Sequence, residues 1–168
     1  ARFKPNLQGN RQPHISQAED TVEGHIRRIL AHDEHLVFST LHHLIQHTLR
    51  TNFYRSDRIF HYLSFKLDVQ RLAELEGARH LYEVYVHHKD MEGVHIRFGP
   101  VARGGLRWSD RNDYRSEVLG LATTQQKNNV VIVPEGSKGG FFLKNPPSNR
   151  AERRREADHH YETFIRGL

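Results

Sequence analysis

The sequence contains no cysteine among its 168 residues. Disulfide bonds, thiolate metal ligands and a cysteine nucleophile are therefore excluded. No apolar run approaches the roughly 20 residues that span a bilayer, and no charged-then-apolar leader begins the chain. We therefore expect a cytoplasmic protein without a membrane partner.

Basic residues are only slightly in excess of acidic residues. The formal net charge is +5, and the basic residues are spread along the sequence, with one run at 153–155. This excess favours anionic partners without naming one. Because 36% of the residues are hydrophobic and 27% are charged, we expect a soluble globular protein, and its length suits one domain.

The N-terminal third is predicted to be helical after a short arm. Residues 1–15 combine prolines and glycine with polar residues and are predicted to be extended, followed by a single domain over 16–168. Apolar spacing predicts a helix near 17–32, with Ser16 and Glu19 as a capping box. A second helix from Val37 ends before Asn52 and completes an antiparallel pair.

The middle of the chain changes to the spacing of strands. Apolar and polar residues alternate at 63–67 and 94–98, and the segment 81–87 is rich in Tyr and Val. Asp90–Gly93 is a plausible hairpin connection. These features predict a small antiparallel sheet.

Helical spacing returns after Asp110, with Ser109 or Asp110 as the N-cap and Lys127 at the helix end. The β-branched run 130–133 predicts a buried strand, followed by a loop with Lys138 and a short strand at 141–143. Asn149 and Glu152 are predicted to cap a last helix. The predicted fold is α/β, with a mixed, partly antiparallel sheet flanked by helices and an N-terminal helical pair.

Three cations stand at Gly-rich or helix-end positions: Arg103, Lys127 and Lys138. Cations that converge on one cleft can hold both ends of a small dicarboxylate and leave a lysine for chemistry. The pairs Gly104–Gly105 and Gly139–Gly140 would let the backbone approach a ligand closely. Spacing alone favours a plainer alternative for Lys127 and Lys138, namely two exposed loop residues. The two glycine pairs are explained equally well by two ordinary turns with positive φ.

Other residue patterns give weaker indications of a functional site. The sequence has neither a phosphate-binding P-loop nor a Gly-x-Gly-x-x-Gly motif, so no nucleotide-binding domain is expected in this chain. His43 and His47 are one helical turn apart and could share a metal ion. Solvated surface imidazoles are the favoured interpretation, and no metal site is predicted.

Four segments carry a family resemblance: GPVARGGLRWSDR from Gly99, RSEVLGL from Arg115, Lys127-Asn128, and VIVPEGSKGG from Val131. Together they closely resemble the large NAD-specific glutamate dehydrogenases of bacteria. The resemblance is strongest over 92–144, and the segments 63–68 and 81–86 look like the family's preceding strands. The first sixty residues match less clearly.

The resemblance implies roles for the three cations. Arg103, beside Gly104 and Gly105, and Lys127 would hold the carboxylates of glutamate, and Lys138 would be catalytic. The smaller hexameric relatives have lysine where Arg103 stands, and arginine can make a planar two-point contact with a carboxylate. The implied reaction transfers hydride from the glutamate α-carbon to NAD and yields 2-oxoglutarate and ammonia.

The resemblance also implies what the chain lacks. The family's catalytic aspartate and NAD-binding Rossmann domain come later than Leu168, so we expect NAD to be bound mainly outside this chain. The expected partners are the remaining domains of the same enzyme, in a homo-oligomer without nucleic acid, and the isolated chain is expected to be inactive. The alternatives are a noncatalytic basic module that binds nucleic acid or anions, a histidine-based metal protein, and a dehydrogenase for another amino acid.

Overall fold

The computed structural model of the chain describes residues 2–55, 61–72, 80–128 and 135–168, without the side chains of residues 127 and 128. Helices and strands alternate in the second half of the chain after a helical start. The elements are, in chain order, α1 (Gln12–Ile26), α2 (His32–Gln46), β1 (Thr48–Thr51), β2 (Tyr62–Asp68), a 3-10 turn (Val69–Arg71), β3 (Tyr82–His88), β4 (Met91–Arg97), β5 (Arg103–Ser109), α3 (Tyr114–Asn128), β6 (Gly136–Leu143) and α4 (Arg150–Gly167).

The strands form one six-stranded sheet in the order β1-β2-β3-β4-β6-β5. Neighbouring strands are antiparallel except β5 and β6, which run parallel because α3 connects them as a crossover. This arrangement confirms the predicted α/β class and its mixed, partly antiparallel sheet.

The two faces of the sheet are covered by different helices. On the side that we call the α3 face, Val94 and Ile96 of β4 pack with Val118 and Ala122 of α3. On the opposite side, the α4 face, Phe164 of α4 joins Val86, Met91 and Phe141 in a second buried cluster. Alternate residues of β4 therefore point to different helices, as the period of two requires.

The first two helices differ in extent from the prediction. α1 begins at Gln12, inside the segment predicted to be extended, because Pro13 lies in its first turn, where a missing N–H costs no helical hydrogen bond. α2 begins at His32, five residues before Val37, with Asp33 and Glu34 in its first turn near the positive end of the helix dipole. None of the helices that the structure describes combines the length and apolar content needed to cross a bilayer.

Four predictions in the C-terminal half are corrected or confirmed. α3 begins at Tyr114, so neither Ser109 nor Asp110 is its N-cap; Ser109 ends β5, and its hydroxyl donates to Glu117 Oε2 at 2.7 Å. Lys138 lies within β6 and not in a loop, and the predicted short strand at 141–143 is the end of the same strand. The cap of α4 is confirmed, since Asn149 Oδ1 accepts from the backbone of Ala151 and Glu152 at 2.8 and 3.2 Å. The strand predicted at 130–133 lies outside the described residues.

Candidate functional site

The parallel pair β5–β6 places two of the three predicted cations on one face of the sheet. In its register Arg103 pairs with Gly136 and Gly105 pairs with Lys138. Paired residues share a face, as do residues two apart on a strand, so Arg103, Gly105 and Lys138 all belong to the α3 face. A Cβ added at Gly105 would lie 4.0 Å from Lys138 Nζ, which shows that the lysine side chain extends toward Gly105.

The C-terminal end of α3 is bonded to the beginning of both strands. Gln125 Nε2 donates to the carbonyl of Arg103 at 2.8 Å. Gln126 accepts from the backbone N–H of Gly136 at 2.5 Å and donates to Glu135 Oε2 at 2.8 Å. The backbone of Lys127 follows Gln126 directly at this helix end. The side chain of Lys127 lies outside the part of the chain that the structure describes.

These two glutamines were not identified from the sequence. Their only signal there is position, since two adjacent amides precede Lys127 at the end of a predicted helix. An amide can donate and accept at once, which lets one helix turn satisfy groups on two strands. These bonds hold the C-terminal end of α3 against the first residues of β5 and β6.

The two glycine pairs are in strands, so their interpretation as turns with positive φ is wrong: among the described glycines that conformation belongs to Gly9. A Cβ at Gly104 would lie 1.5 Å from the Ser137 carbonyl oxygen, and one at Gly139 would lie 2.3 Å from a methyl of Leu106. These glycines are required by packing within the sheet. Gly105, in contrast, has open space beside Lys138, so close approach of a ligand is possible there.

The charges at this site are not neutralised internally. Lys138 is partly buried and Arg103 is exposed, and neither has a carboxylate partner within ion-pair distance among the described residues. Nearby acids have other partners: Glu135 accepts from Gln126, and Glu117 pairs with Arg107 Nη1 at 3.0 Å. Two cations on one face with free donors are suited to an anion with more than one charged end.

The structure groups different histidines from those in the metal hypothesis. Within the described ranges, the set of three potential ligands whose donor atoms lie within 4.8 Å of one another is His88, Asp90 and His160. It includes neither His43 nor His47, so the predicted helical pair does not belong to such a set.

Comparison with known proteins gives consistent matches over this region. Residues 21–168 match the family model described as "Bacterial NAD-glutamate dehydrogenase, catalytic domain". The chain is 41% identical over 131 residues to the NAD-specific glutamate dehydrogenase of Mycobacterium tuberculosis, covering 74% of this chain and 8% of that protein. It is 44% identical over 111 residues to the protein of the same name from Pseudomonas aeruginosa, covering 64% of this chain and 7% of the relative. For the protein of that name from Halomonas elongata the identity is 50% over 86 residues, 49% of this chain and 5% of the relative. The matched region thus spans less than a tenth of each of these relatives.

Proposed function

Since the chain belongs to the family of bacterial NAD-glutamate dehydrogenase catalytic domains, we propose that it forms the glutamate-binding part of such an enzyme and supplies its catalytic lysine. The observation that carries this proposal is the β5–β6 register, which brings Arg103 and Lys138 to one face of the sheet beside the end of α3. The names of the relatives favour this function over a basic module that binds nucleic acid.

Each cation has a proposed role. The guanidinium of Arg103 and the ammonium of Lys127 hold the two carboxylates of glutamate, with the open space at Gly105 admitting the substrate backbone. Lys138 lies on β6, which is paired on both sides, so its Cα is fixed by two neighbouring strands. A reactive group on a rigid element is held in position before the substrate arrives.

The reaction then divides between this chain and the rest of the enzyme. NAD, when bound, accepts the hydride that leaves the glutamate α-carbon. The sequence has no dinucleotide-binding motif, so we assign no residue of this chain to holding that cofactor. Lys138 takes a proton from the water that adds to the resulting substrate iminium, and loss of ammonia gives 2-oxoglutarate. Arg103 and Lys127 keep the α-carbon oriented during the transfer.

The test is steady-state kinetics of single variants in the intact enzyme. Lys138→Ala should abolish turnover, whereas Lys127→Ala should chiefly raise the KM for glutamate. Lys144→Ala is the matched control, because Lys144 follows the same strand but pairs with Glu92 Oε1 at 2.9 Å. Equal and small effects of the Lys138 and Lys127 variants would contradict the proposed roles.

A second test uses the 168-residue chain alone. We propose that the NAD site and the catalytic aspartate lie on other parts of the enzyme, because the relatives are more than ten times longer than the matched region. The chain should therefore reduce no NAD in the presence of glutamate. Appreciable turnover would refute this division of the site. The cytoplasmic location and the homo-oligomeric state stay predictions.

A further inference from the structure

A second cluster of cations lies on the other side of the sheet. A cavity of about 350 Å³ opens on the α4 face and is lined by Arg50, Lys66, His95 and Arg97 with the end of α4. The register places these side chains together, since Arg50 pairs with Lys66, and Val84 pairs with both Lys66 and His95. Arg97 pairs with Ser137, the neighbour of Lys138, so this cluster and Lys138 face opposite sides.

The cations of this cluster have no ion-pair partner among the described residues. No Asp or Glu is among the residues that line the cavity. Within the described ranges, Arg50, Lys66 and Arg97 are also not among the residues that form ion pairs. Burial, followed by the charges of Arg50 and Arg97, lowers the pKa of Lys66, so the three cations are close enough to repel one another.

Two of the three cations, Lys66 and Arg97, are held in place beside the cavity. Arg97 Nη2 donates to the carbonyl of Pro100 at 2.8 Å, while its Nε is buried and has no hydrogen-bond partner in the described part of the chain. Lys66 Nζ lies 4.1 Å from the centre of the Tyr82 ring, which orients it by a cation–π contact. A buried donor without an acceptor is unfavourable.

The neighbouring histidine is neutral at pH 7. Burial, followed by the charge of Arg97, lowers the pKa of His95 to about 4. An uncharged imidazole adds a hydrogen-bonding group without adding to the repulsion among the cations. The cavity thus combines three positive charges with a neutral polar side chain and a volume at the small end of ligand pockets.

We propose that this cavity binds a small multivalent oxyanion, recognised through carboxylate or phosphate oxygens by Arg50, Lys66 and Arg97. The site is separate from the proposed glutamate site, because the two lie on opposite faces of the sheet. An anion here would offset the repulsion among the three cations. The proposal depends on this cavity alone and not on the proposed catalytic function.

Isothermal titration calorimetry of the intact enzyme with citrate and, separately, inorganic phosphate tests the proposal at low ionic strength. At least one of the two should bind, and the preferred probe indicates whether carboxylate or phosphate is the better ligand. Arg97→Gln and Lys66→Gln should each weaken binding at least tenfold. Circular dichroism shows which variants are folded, and the Lys66 change keeps the test available if the Arg97 variant unfolds.

One control separates this site from general attraction of anions to positive charge. Arg28→Gln removes the same charge from an exposed residue that does not line the cavity and should leave the affinity within twofold. Failure of the folded enzyme to bind either probe would overturn the proposal. So would an equal loss of binding in Arg28→Gln.

Discussion

The adjacent glycines at the start of β5 should respond in opposite ways to the same added methyl group. Gly104 is directed to the α4 face, where a Cβ would lie 1.5 Å from the Ser137 carbonyl oxygen and 2.4 Å from its carbon. Gly105 is directed to the α3 face, where the nearest atom to a Cβ would be Lys138 Nζ at 4.0 Å. One position is therefore blocked by backbone, and the other faces the proposed substrate.

The magnitudes follow from these distances. Overpacking typically costs 1–3 kcal/mol, and the Ser137 carbonyl cannot rotate away without breaking the pairing of β5 with β6. We therefore expect Gly104→Ala to lower the free energy of unfolding by about 3 kcal/mol. The methyl group added by Gly105→Ala would make only ordinary van der Waals contact. This substitution should change the free energy of unfolding by less than about 0.5 kcal/mol. Its methyl would instead occupy space beside Lys138 and weaken 2-oxoglutarate binding about tenfold, equivalent to about 1.4 kcal/mol.

Urea denaturation followed by circular dichroism measures the stability of both variants, and calorimetric titration with 2-oxoglutarate in the intact enzyme measures binding. Equal stability losses for Gly104→Ala and Gly105→Ala would refute the assignment of the two glycines to opposite faces. A Gly105→Ala variant that is stable and binds 2-oxoglutarate as the wild type does would refute the placement of substrate beside Lys138.

Three further predictions concern the free energy of unfolding, measured by urea denaturation. Glu83→Gln should cost about 3–5 kcal/mol, because the buried carboxylate of Glu83 accepts two hydrogen bonds from Arg115, each 2.8 Å long; a loss below 1 kcal/mol would contradict this. Burial raises the pKa of Glu83, but hydrogen bonds from His80 and Arg115 outweigh it and hold the pKa below its usual value. The stability that this carboxylate contributes should therefore be present above about pH 4.3, the pKa in the unfolded chain, and be lost as the pH falls through the lower pKa of the folded protein. Glu83→Gln should not show this loss. Asn149→Ala should cost about 1 kcal/mol by removing the cap of α4. An unchanged midpoint of urea denaturation would exclude a capping role for Asn149. Phe164→Ala should cost about 3–5 kcal/mol, since Phe164 is fully buried under the sheet, and a small loss would mean that the core refills the space.

The strands of the middle third could be predicted because their apolar side chains share one face of the sheet. The alternation at 63–67 and 94–98 indicates that face directly, and β2 and β4 lie there. The segment Gly-Ser-Lys-Gly-Gly instead has the composition of a turn. It forms a strand because its glycines make room for Leu106 and Val118, which are distant in the sequence. Such contacts cannot be inferred from local composition.

The residues of the proposed site could be named from the sequence, but their geometry could not. The resemblance named Arg103, Lys127 and Lys138, while their arrangement depends on a parallel register between strands separated by a 15-residue helix. The supporting bonds of Gln125 and Gln126 depend on the same register. On the other face, the cation cluster needs Arg50 from β1 beside Arg97 from β4, a proximity created only when the sheet forms.

The most direct test of the central claim is a crystal structure of the intact enzyme with 2-oxoglutarate bound. The account predicts a ligand on the α3 face, with carboxylate oxygens within hydrogen-bond distance of the Arg103 guanidinium and Lys127 Nζ, and Lys138 Nζ directed at the carbon that carries the oxo group. A ligand bound elsewhere, with Lys138 Nζ in solvent on a surface remote from it, would contradict the account.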